Sequence, residues 1–212
     1  MKSKLAASDN TVVLLKDFDE KRSDLTLSDA STSEDITAFS SAQGVPLIQV
    51  FSPESSEKIF KSSIQVHSLF FTNTASDHHA PTMAAFTESA KDNRGKSLFI
   101  NVPSSEARVM EYFGFKEADL PAYVLADMRG NGMKKYFFSG KFEKSAVNDF
   151  VSSFFAGTLS ATLKSEEPSP EDTTGPVVVL KGKSFKELVL DNDKDVLVEV
   201  HLTDIYYTYN NY

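Results

Sequence analysis

The sequence has 212 residues, of which 41% are hydrophobic, and its 22 Lys and Arg against 30 Asp and Glu give a net charge of −8. This excess of acidic residues argues against a nucleic-acid-binding function, because proteins neutralise nucleic-acid phosphates with Lys and Arg. The lack of any Cys excludes disulfides, thiol catalysis and cysteine-bound metals. No stretch approaches the ~20 apolar residues of a membrane span, and residues 1–9 lack the apolar core of a secretory signal peptide.

The first patterned segments lie near the N-terminus. Residues 11–15 form a short run rich in β-branched side chains and predict a strand. Residues 23–33, dominated by Ser, Asp and Thr, predict a loop. Ser33 followed by two acids predicts the start of a helix, and Gly44 predicts its end.

Strand and helix patterns then alternate between residues 45 and 157. Ser52 and Pro53 combine an N-cap hydroxyl with proline at the first helical position, and Ser104 predicts a second helix start. A glycine-rich turn at residues 129–132 predicts a β-hairpin. The predicted strands are 47–51, 66–71, 97–102, 122–126 and 135–138, and the predicted helices follow Ser52, cover 82–90, follow Ser104 and cover 147–155.

The resulting order, βαβαβαββα, predicts a three-layer α/β fold with a mixed sheet and helices on both faces. Beyond it, residues 164–176 carry three prolines and four acids and predict a linker. Strands at 177–180 and 195–200, with a short helix at 184–189 between them, would form a βαβ fragment. Such a fragment cannot cover both faces of its own sheet.

Several segments, in order, resemble the protein disulfide isomerase family. Residues 16–22 are similar to its K-x-F-D-E-x-R segment, residues 96–100 to its G-K-I-L-F-I strand and residues 111–116 to its E-F-F-G-L-K segment. Residues 195–199 resemble a strand that the family follows with Y-A-P-W-C-G-H-C, whereas this sequence continues from His201 without Cys. The resemblance therefore implies a thioredoxin-like α/β fold whose redox motif is absent where it is due.

The resemblance also implies four parts of the chain and a location. Residues 1–43 would be the C-terminal part of a preceding thioredoxin-like domain, and residues 44–160 a thioredoxin-like substrate-binding domain. Residues 161–175 would be an acidic, proline-containing linker, and residues 176–212 the truncated start of a catalytic thioredoxin domain with an aberrant tail. The family works in the lumen of the endoplasmic reticulum, although this sequence shows no signal peptide.

The resemblance implies that unfolded polypeptide binds in a pocket between the first and third helices of the 44–160 domain. Apolar side chains suit this task because their burial is favourable and non-directional. Pro121 lies where thioredoxin folds carry a structural cis-proline, and we expect no catalytic residue, cofactor or metal ligand. The candidate peptide-binding residues, which are otherwise ordinary core residues, are Ile59, Phe60, Ile64, Met110, Phe113 and Phe115.

Two other functions remain open, an architectural spacer without peptide binding and an acidic calcium-binding thioredoxin-like protein. The acids at residues 17–20 lack the spacing and the glycine of an EF-hand. Neither a G-x-S-x-G elbow nor a phosphate-binding glycine loop is present. We interpret one further set of possible metal ligands as solvated, namely His67, Asp77, His78 and His79.

Overall fold

A computed structural model describes residues 8–163, 165–191 and 193–200 of the chain. The chain divides into two compact units, with the boundary between Thr162 and Leu163. The strands are β1 Thr11–Leu15, β2 Arg22–Thr26, β3 Gln49–Val50, β4 Val66–Thr72, β5 Leu98–Pro103, β6 Ala122–Gly130 and β7 Gly132–Phe137. The helices are α1 Ser33–Gln43, α2 Pro53–Phe60, α3 His79–Asp92, α4 Ala107–Phe113, α5 Lys144–Phe155 and, in the second unit, α6 Gly182–Phe185.

The centre of the first unit is a five-stranded sheet in the order β3-β5-β4-β6-β7. β5 pairs in parallel with both β3 and β4, whereas β6 runs antiparallel to β4 and forms a hairpin with β7. The α/β fold with a mixed sheet, predicted from the alternation of patterns, is confirmed, as is the thioredoxin-like form that the resemblance implied. The predicted 47–51 strand is shorter than expected, since only Gln49 and Val50 pair with β5.

Each face of this sheet has its own hydrophobic core. Neighbouring residues of β4 point to opposite faces, as in any strand, so Phe71 lies in one core and Phe70 in the other. Helices α2 and α4 contribute Ile59 and Phe113 to the first core, and α3 contributes Phe86 to the second. Because both faces are covered, all seven residues of β4 are buried.

An aromatic cluster fills the second core. The ring of Phe86 lies 4.8 Å from Phe70, 5.0 Å from Phe99 and 5.6 Å from Tyr123 between ring centroids. The hydroxyl of Tyr123 is fully buried and lies 2.9 Å from the Ser68 hydroxyl, so its polar end is satisfied. Burial raises the pKa of the Tyr123 hydroxyl well above its ordinary value. This cluster anchors α3 to the sheet.

The N-terminal segment departs from the sequence prediction in two places. The prediction of a loop at 23–33 is wrong for its first residues, because residues 22–26 form β2, which pairs with β1 along the full length of both strands. Cross-strand pairing there overrides the low strand propensity of Ser and Asp. Helix α1 is capped by Thr32 rather than Ser33, since the Thr32 hydroxyl accepts a bond from the Asp35 amide and the Asp35 carboxylate accepts one from the Thr32 amide.

Arg94 joins this N-terminal segment to the sheet. Its guanidinium donates to the carbonyl oxygens of Ala42 and Val45, each at 3.1 Å, and lies 3.4 Å from the carboxylate oxygens of both Asp19 and Glu20. The Arg94 side chain is mostly buried, so these contacts are only weakly screened by water. They hold the chain on either side of Gly44.

The second unit contradicts the prediction of strands at 177–180 and 195–200. Among its described residues there is no strand; they form a 3₁₀ turn at Pro170–Thr173, helix α6 and a π-type turn at Lys186–Leu190. A strand needs an adjacent strand with which to form a ladder of hydrogen bonds, and the described residues of this unit provide no such strand; the Val179 amide donates to the Asp172 carbonyl in the 3₁₀ turn. The predicted 184–189 helix corresponds to α6 and the π-type turn, and the predicted tail at 201–212 lies outside the described residues.

Candidate functional site

The first unit has an apolar cavity between α2 and α4. Its volume is about 260 Å³, and it opens above the face of the sheet that carries the first core. Two walls come from the helices and the floor comes from the strands. The lining residues are Phe51, Ile59, Phe60, His67, Leu69, Arg108, Val109, Tyr112, Phe113, Ala126 and Met133.

Local sequence signals position the two helical walls. Helix α2 begins where Ser52 forms a capping box with Ser55 and Pro53 occupies the first turn, as predicted. Helix α4 begins at Ala107, not directly after the predicted cap Ser104, and it has no side-chain cap. It ends at Gly114, whose φ of +77° is a left-handed conformation that favours glycine.

The turn at Gly114 also anchors the end of α4. The amide of Phe115 donates to the Met110 carbonyl at 2.9 Å, which closes the helix end. The Phe115 ring then packs 4.9 Å from Phe71, and the Phe113 ring packs 5.2 Å from Phe71, between ring centroids. The last turn of α4 is therefore fixed by the core beneath the cavity.

The six residues that the sequence analysis selected fall into two groups. Ile59, Phe60 and Phe113 line the cavity. Met110 is buried in the first core, and Ile64 and Phe115 pack against that core without lining the cavity. The structure thus brings three candidates to one cavity and places the other three around or below it.

Two aromatic side chains form the exposed edge of the cavity. Phe60 of α2 is 55% exposed and Tyr112 of α4 is 59% exposed, while Ile59 and Phe113 behind them are buried. Large apolar groups exposed on both sides of an opening are typical of an interaction surface. The cavity therefore combines a mainly apolar interior with an accessible apolar edge.

Lys135 of β7 stabilises the α4 side of this edge. Its ammonium group lies 3.7 Å from the centroid of the Tyr112 ring and 4.5 Å from that of Phe113. It also donates a hydrogen bond of 3.0 Å to the Tyr112 carbonyl, which lies in the last turn of α4. A cation in this position is favourable both to the ring faces and to the carbonyl end of a helix.

His67 is the polar group in the cavity floor. It is 2% exposed, and its Nε2 lies 3.1 Å from the Ile64 carbonyl, to which it donates. Burial lowers the pKa of His67 to about 4, so the ring is neutral at neutral pH. With Nε2 as the donor, Nδ1 is an acceptor, and among the described residues it has no hydrogen-bond partner.

Sequence reasoning missed His67 as a lining residue, although a signal existed. Residues two apart in a strand share a face, so His67 and Leu69 of β4 point to the same side. Ala126, which pairs with His67 across β4 and β6, completes this floor. Arg108 and Tyr112 are four residues apart on α4 and so lie on one helix face.

A larger but open groove lies elsewhere in the first unit. It measures about 920 Å³ and is lined by α1, residues 63–66, residues 94–96, Arg129 and Phe155. Both arginines at this groove, Arg94 and Arg129, already have ion-pair partners. The smaller cavity is the better candidate because it is more enclosed and more apolar than the larger groove.

The remaining candidate residues show no further site. In the part of the chain that the structure describes, no three His, Asp or Glu side chains form a group that could hold a metal ion. No helix of the described residues is long and apolar enough to cross a membrane.

The Leu120–Pro121 peptide bond is cis. Pro121 lies beside a small recess, away from the cavity.

Comparison with known proteins agrees with this architecture. A family profile described as a thioredoxin-like domain matches residues 2–153. The chain belongs to the thioredoxin-like family. Its sequence is 33% identical over 202 residues to a protein disulfide-isomerase of Drosophila melanogaster, covering 94% of this chain and 40% of that protein. It is 31% identical over 193 residues to a protein disulfide-isomerase of Oryctolagus cuniculus, covering 90% and 38% respectively.

These relatives confirm the resemblance to protein disulfide isomerases found in the sequence. This thioredoxin-like chain spans about two fifths of the length of the curated relatives it matches. Among solved structures, it is similar to the bb fragment of ERp72, with a TM-score of 0.47 and 17% identity, covering 74% of this chain and 72% of that one.

Proposed function

We propose that the thioredoxin-like part of this chain binds unfolded or misfolded polypeptide and so supports disulfide formation and isomerisation by a protein disulfide isomerase. The observation that carries the proposal is the apolar cavity between α2 and α4, whose opening is edged by exposed Phe60 and Tyr112. We propose the domain division given above, with residues 44–160 as the binding domain, and the lumen of the endoplasmic reticulum as the location.

The cavity has the chemistry that such a client needs. An unfolded chain offers apolar side chains without fixed geometry, and apolar burial makes no demand on direction. A volume of about 260 Å³ is below the range of roughly 300–1,000 Å³ typical of sites for drug-sized ligands. It therefore suits a single large side chain of a client better than a folded surface.

Binding is the function that these residues can perform without further chemistry. Disulfide exchange requires a thiolate as the nucleophile, and the 212 residues contain no Cys. We expect this chain alone to show no isomerase activity. The thiol groups would come from other parts of a larger enzyme.

The test is peptide binding by wild type and by Phe60→Ala. Phe60 is 55% exposed, so a client that covered it would remove roughly 100 Å² of apolar surface from water, about 2 kcal/mol. We expect Phe60→Ala to weaken the binding of a fluorescently labelled unfolded peptide about 30-fold, measured by anisotropy.

Phe155→Ala provides a matched control. Phe155 is 41% exposed and, like Phe60, is the last residue of its helix, but it lies outside the cavity. We expect the Phe155→Ala variant to bind the peptide with the same affinity as wild type. Equal affinity of Phe60→Ala and wild type, with unchanged circular dichroism, would contradict the proposal and favour the architectural spacer.

A further inference from the structure

We propose that Met133 is a modification site, at which a hydroperoxide oxidises the thioether to methionine sulfoxide and thereby weakens the binding of apolar clients in the cavity. This inference rests on the proposed function and adds a regulation of the same site. Two observations lead to it, the composition of the chain and the position of Met133 in the cavity floor.

The composition of the chain directs a peroxide to methionine. The 212 residues contain neither Cys nor Trp, so the five methionine thioethers are the side chains that a mild peroxide oxidises most readily. A thiolate, which would otherwise compete for the oxidant, is absent from these residues. Oxidation of this chain by a mild peroxide therefore begins at a methionine.

The methionines that the structure describes differ in their surroundings. Met110 is 5% exposed and lies within the first core, and Met83 packs against the second core. Met128 is partly exposed and belongs to neither core nor to the cavity lining. Met133 is also partly exposed, and it is the one methionine among the residues that line the cavity. The cavity therefore presents a single readily oxidised side chain to dissolved peroxide.

Strand β7 directs Met133 into the cavity. Alternate residues of a strand share a face, so Met133, Lys135 and Phe137 lie on one side of the sheet, where Met133 and Phe137 pack against the first core. On the same face, the Lys135 ammonium group lies 3.7 Å from the ring centroid of Tyr112, at the exposed edge of the cavity. A client side chain that passes this edge and fills the cavity therefore contacts Met133.

Oxidation makes this part of the floor polar. The Met133 sulfur attacks one oxygen of hydrogen peroxide, an S–O bond forms, the O–O bond breaks, and the second oxygen takes up both protons and leaves as water. The sulfur loses the two electrons that the peroxide gains. The sulfoxide oxygen only accepts hydrogen bonds, and three other strand residues that line the cavity offer it no free donor, since Leu69 and Ala126 are apolar and His67 donates to a backbone carbonyl.

The sulfoxide acts on the bound state more than on the free chain. In the free chain the cavity is open at its edge, so water can hydrate the new oxygen. An apolar client would exclude that water, and burial of a polar group without a hydrogen bond is unfavourable. Oxidation of Met133 therefore lowers client affinity while the fold is retained.

The experiment measures peptide binding by the full chain before and after oxidation. The protein is treated with hydrogen peroxide, catalase removes the excess, and mass spectrometry of proteolytic fragments gives the sulfoxide fraction at each methionine. The probe is a labelled apolar unfolded peptide without Cys, Met or Trp, followed by anisotropy. We expect Met133 to oxidise faster than Met110 and bound peptide to protect Met133. Complete oxidation of Met133 should weaken binding about 5- to 30-fold.

Two variants assign the effect to its residue, each judged by the ratio of its own affinities before and after peroxide. Met133→Leu removes the sulfur, so its affinity should be the same before and after treatment. Met128→Leu removes a partly exposed methionine of the same hairpin, outside the cavity, and should lose affinity as wild type does. Methionine sulfoxide reductases for both epimers should restore binding to oxidised wild type, as a dithiol reductant becomes a disulfide and the oxygen leaves as water.

The outcomes separate this inference from the proposed function. Unchanged affinity of wild type after complete oxidation at Met133 would overturn the inference and leave the proposed function intact. An equal loss of affinity in Met133→Leu would also overturn it, since another methionine would then be responsible. Loss of the circular dichroism signal together with binding would show unfolding and would overturn it as well. Absence of peptide binding by the unoxidised wild type refutes both.

Discussion

Burial of His67 should make the stability of the first unit depend on pH. The pKa of the ring is about 4 in the folded chain, against 6.5 for an ordinary histidine, because burial disfavours the charged form. Between these two values the unfolded chain binds more protons than the folded chain. The free energy of unfolding therefore falls as the pH decreases through this window and is fully retained above it.

The size of this effect follows from the two pKa values. Their difference corresponds to about 3 kcal/mol in total, of which about 2 kcal/mol is lost between pH 7 and pH 5. Such a loss is a large fraction of the roughly 5–15 kcal/mol that stabilises a typical domain. Chemical denaturation would clearly resolve a loss of this size in the free energy of unfolding.

The assay is urea unfolding of wild type and His67→Leu at both pH values, followed by circular dichroism. Leucine has no titrating group, so the variant should lose about 2 kcal/mol less than wild type on acidification. Carboxylates held in ion pairs, such as Asp127 beside Arg129, have lowered pKa values and are common to both proteins. The difference between the two pH responses therefore isolates His67.

Equal pH responses of wild type and His67→Leu would refute this reasoning. They would mean that the folded chain binds a proton at His67 as readily as the unfolded chain does. The neutral acceptor assigned to the cavity floor would then be absent.

Four further substitutions test the packing that positions the site, each by urea unfolding at neutral pH. Arg94→Gln should cost about 1–3 kcal/mol because it breaks the ion pair with Asp19 and the bonds to two carbonyls, and an unchanged midpoint would contradict this. Ser52→Ala should cost about 1 kcal/mol through loss of the α2 cap, whereas Ser52→Thr should stay close to wild type. Gly114→Ala should cost about 1–2 kcal/mol because its φ is +77°, and no cost would show that the turn relaxes. Phe86→Ala should cost about 3–5 kcal/mol, since it removes the centre of the aromatic cluster, and a loss under 1 kcal/mol would contradict that packing.

Much of the fold of the first unit could be predicted because its signals are local. β4 and α2 carry their own patterns, namely a continuous buried run and a Ser-Pro start, and both begin where those patterns predicted. The βαβ order implied parallel pairing with right-handed crossovers, and the predicted hairpin added antiparallel strands, so the sheet was expected to be mixed. Composition alone likewise excluded thiol chemistry in these residues.

The errors arose where structure depends on residues far away in sequence. β2 forms from Ser- and Asp-containing residues because β1 lies beside it, and no local propensity indicates that pairing. The apolar residues at 177–180 and 195–200 have strand propensity, yet they form no strand in the described part of their unit because no adjacent strand there pairs with them.

The candidate site likewise contains some residues that could be found from the sequence and others that only the folded structure brings together. The sequence patterns predicted the two helices, and the family resemblance, not their periodicity, selected the three apolar residues that line the cavity. His67 entered the sequence analysis only in a set of possible metal ligands interpreted as solvated, which is wrong for His67 because its side chain is buried, and Arg108 carried no signal. Packing of α4 across β4 and β6 puts these two residues at one cavity, and burial by that packing makes the histidine a neutral acceptor. Contact and solvent exclusion depend on the assembled fold, whereas periodicity and composition are already present in the linear chain.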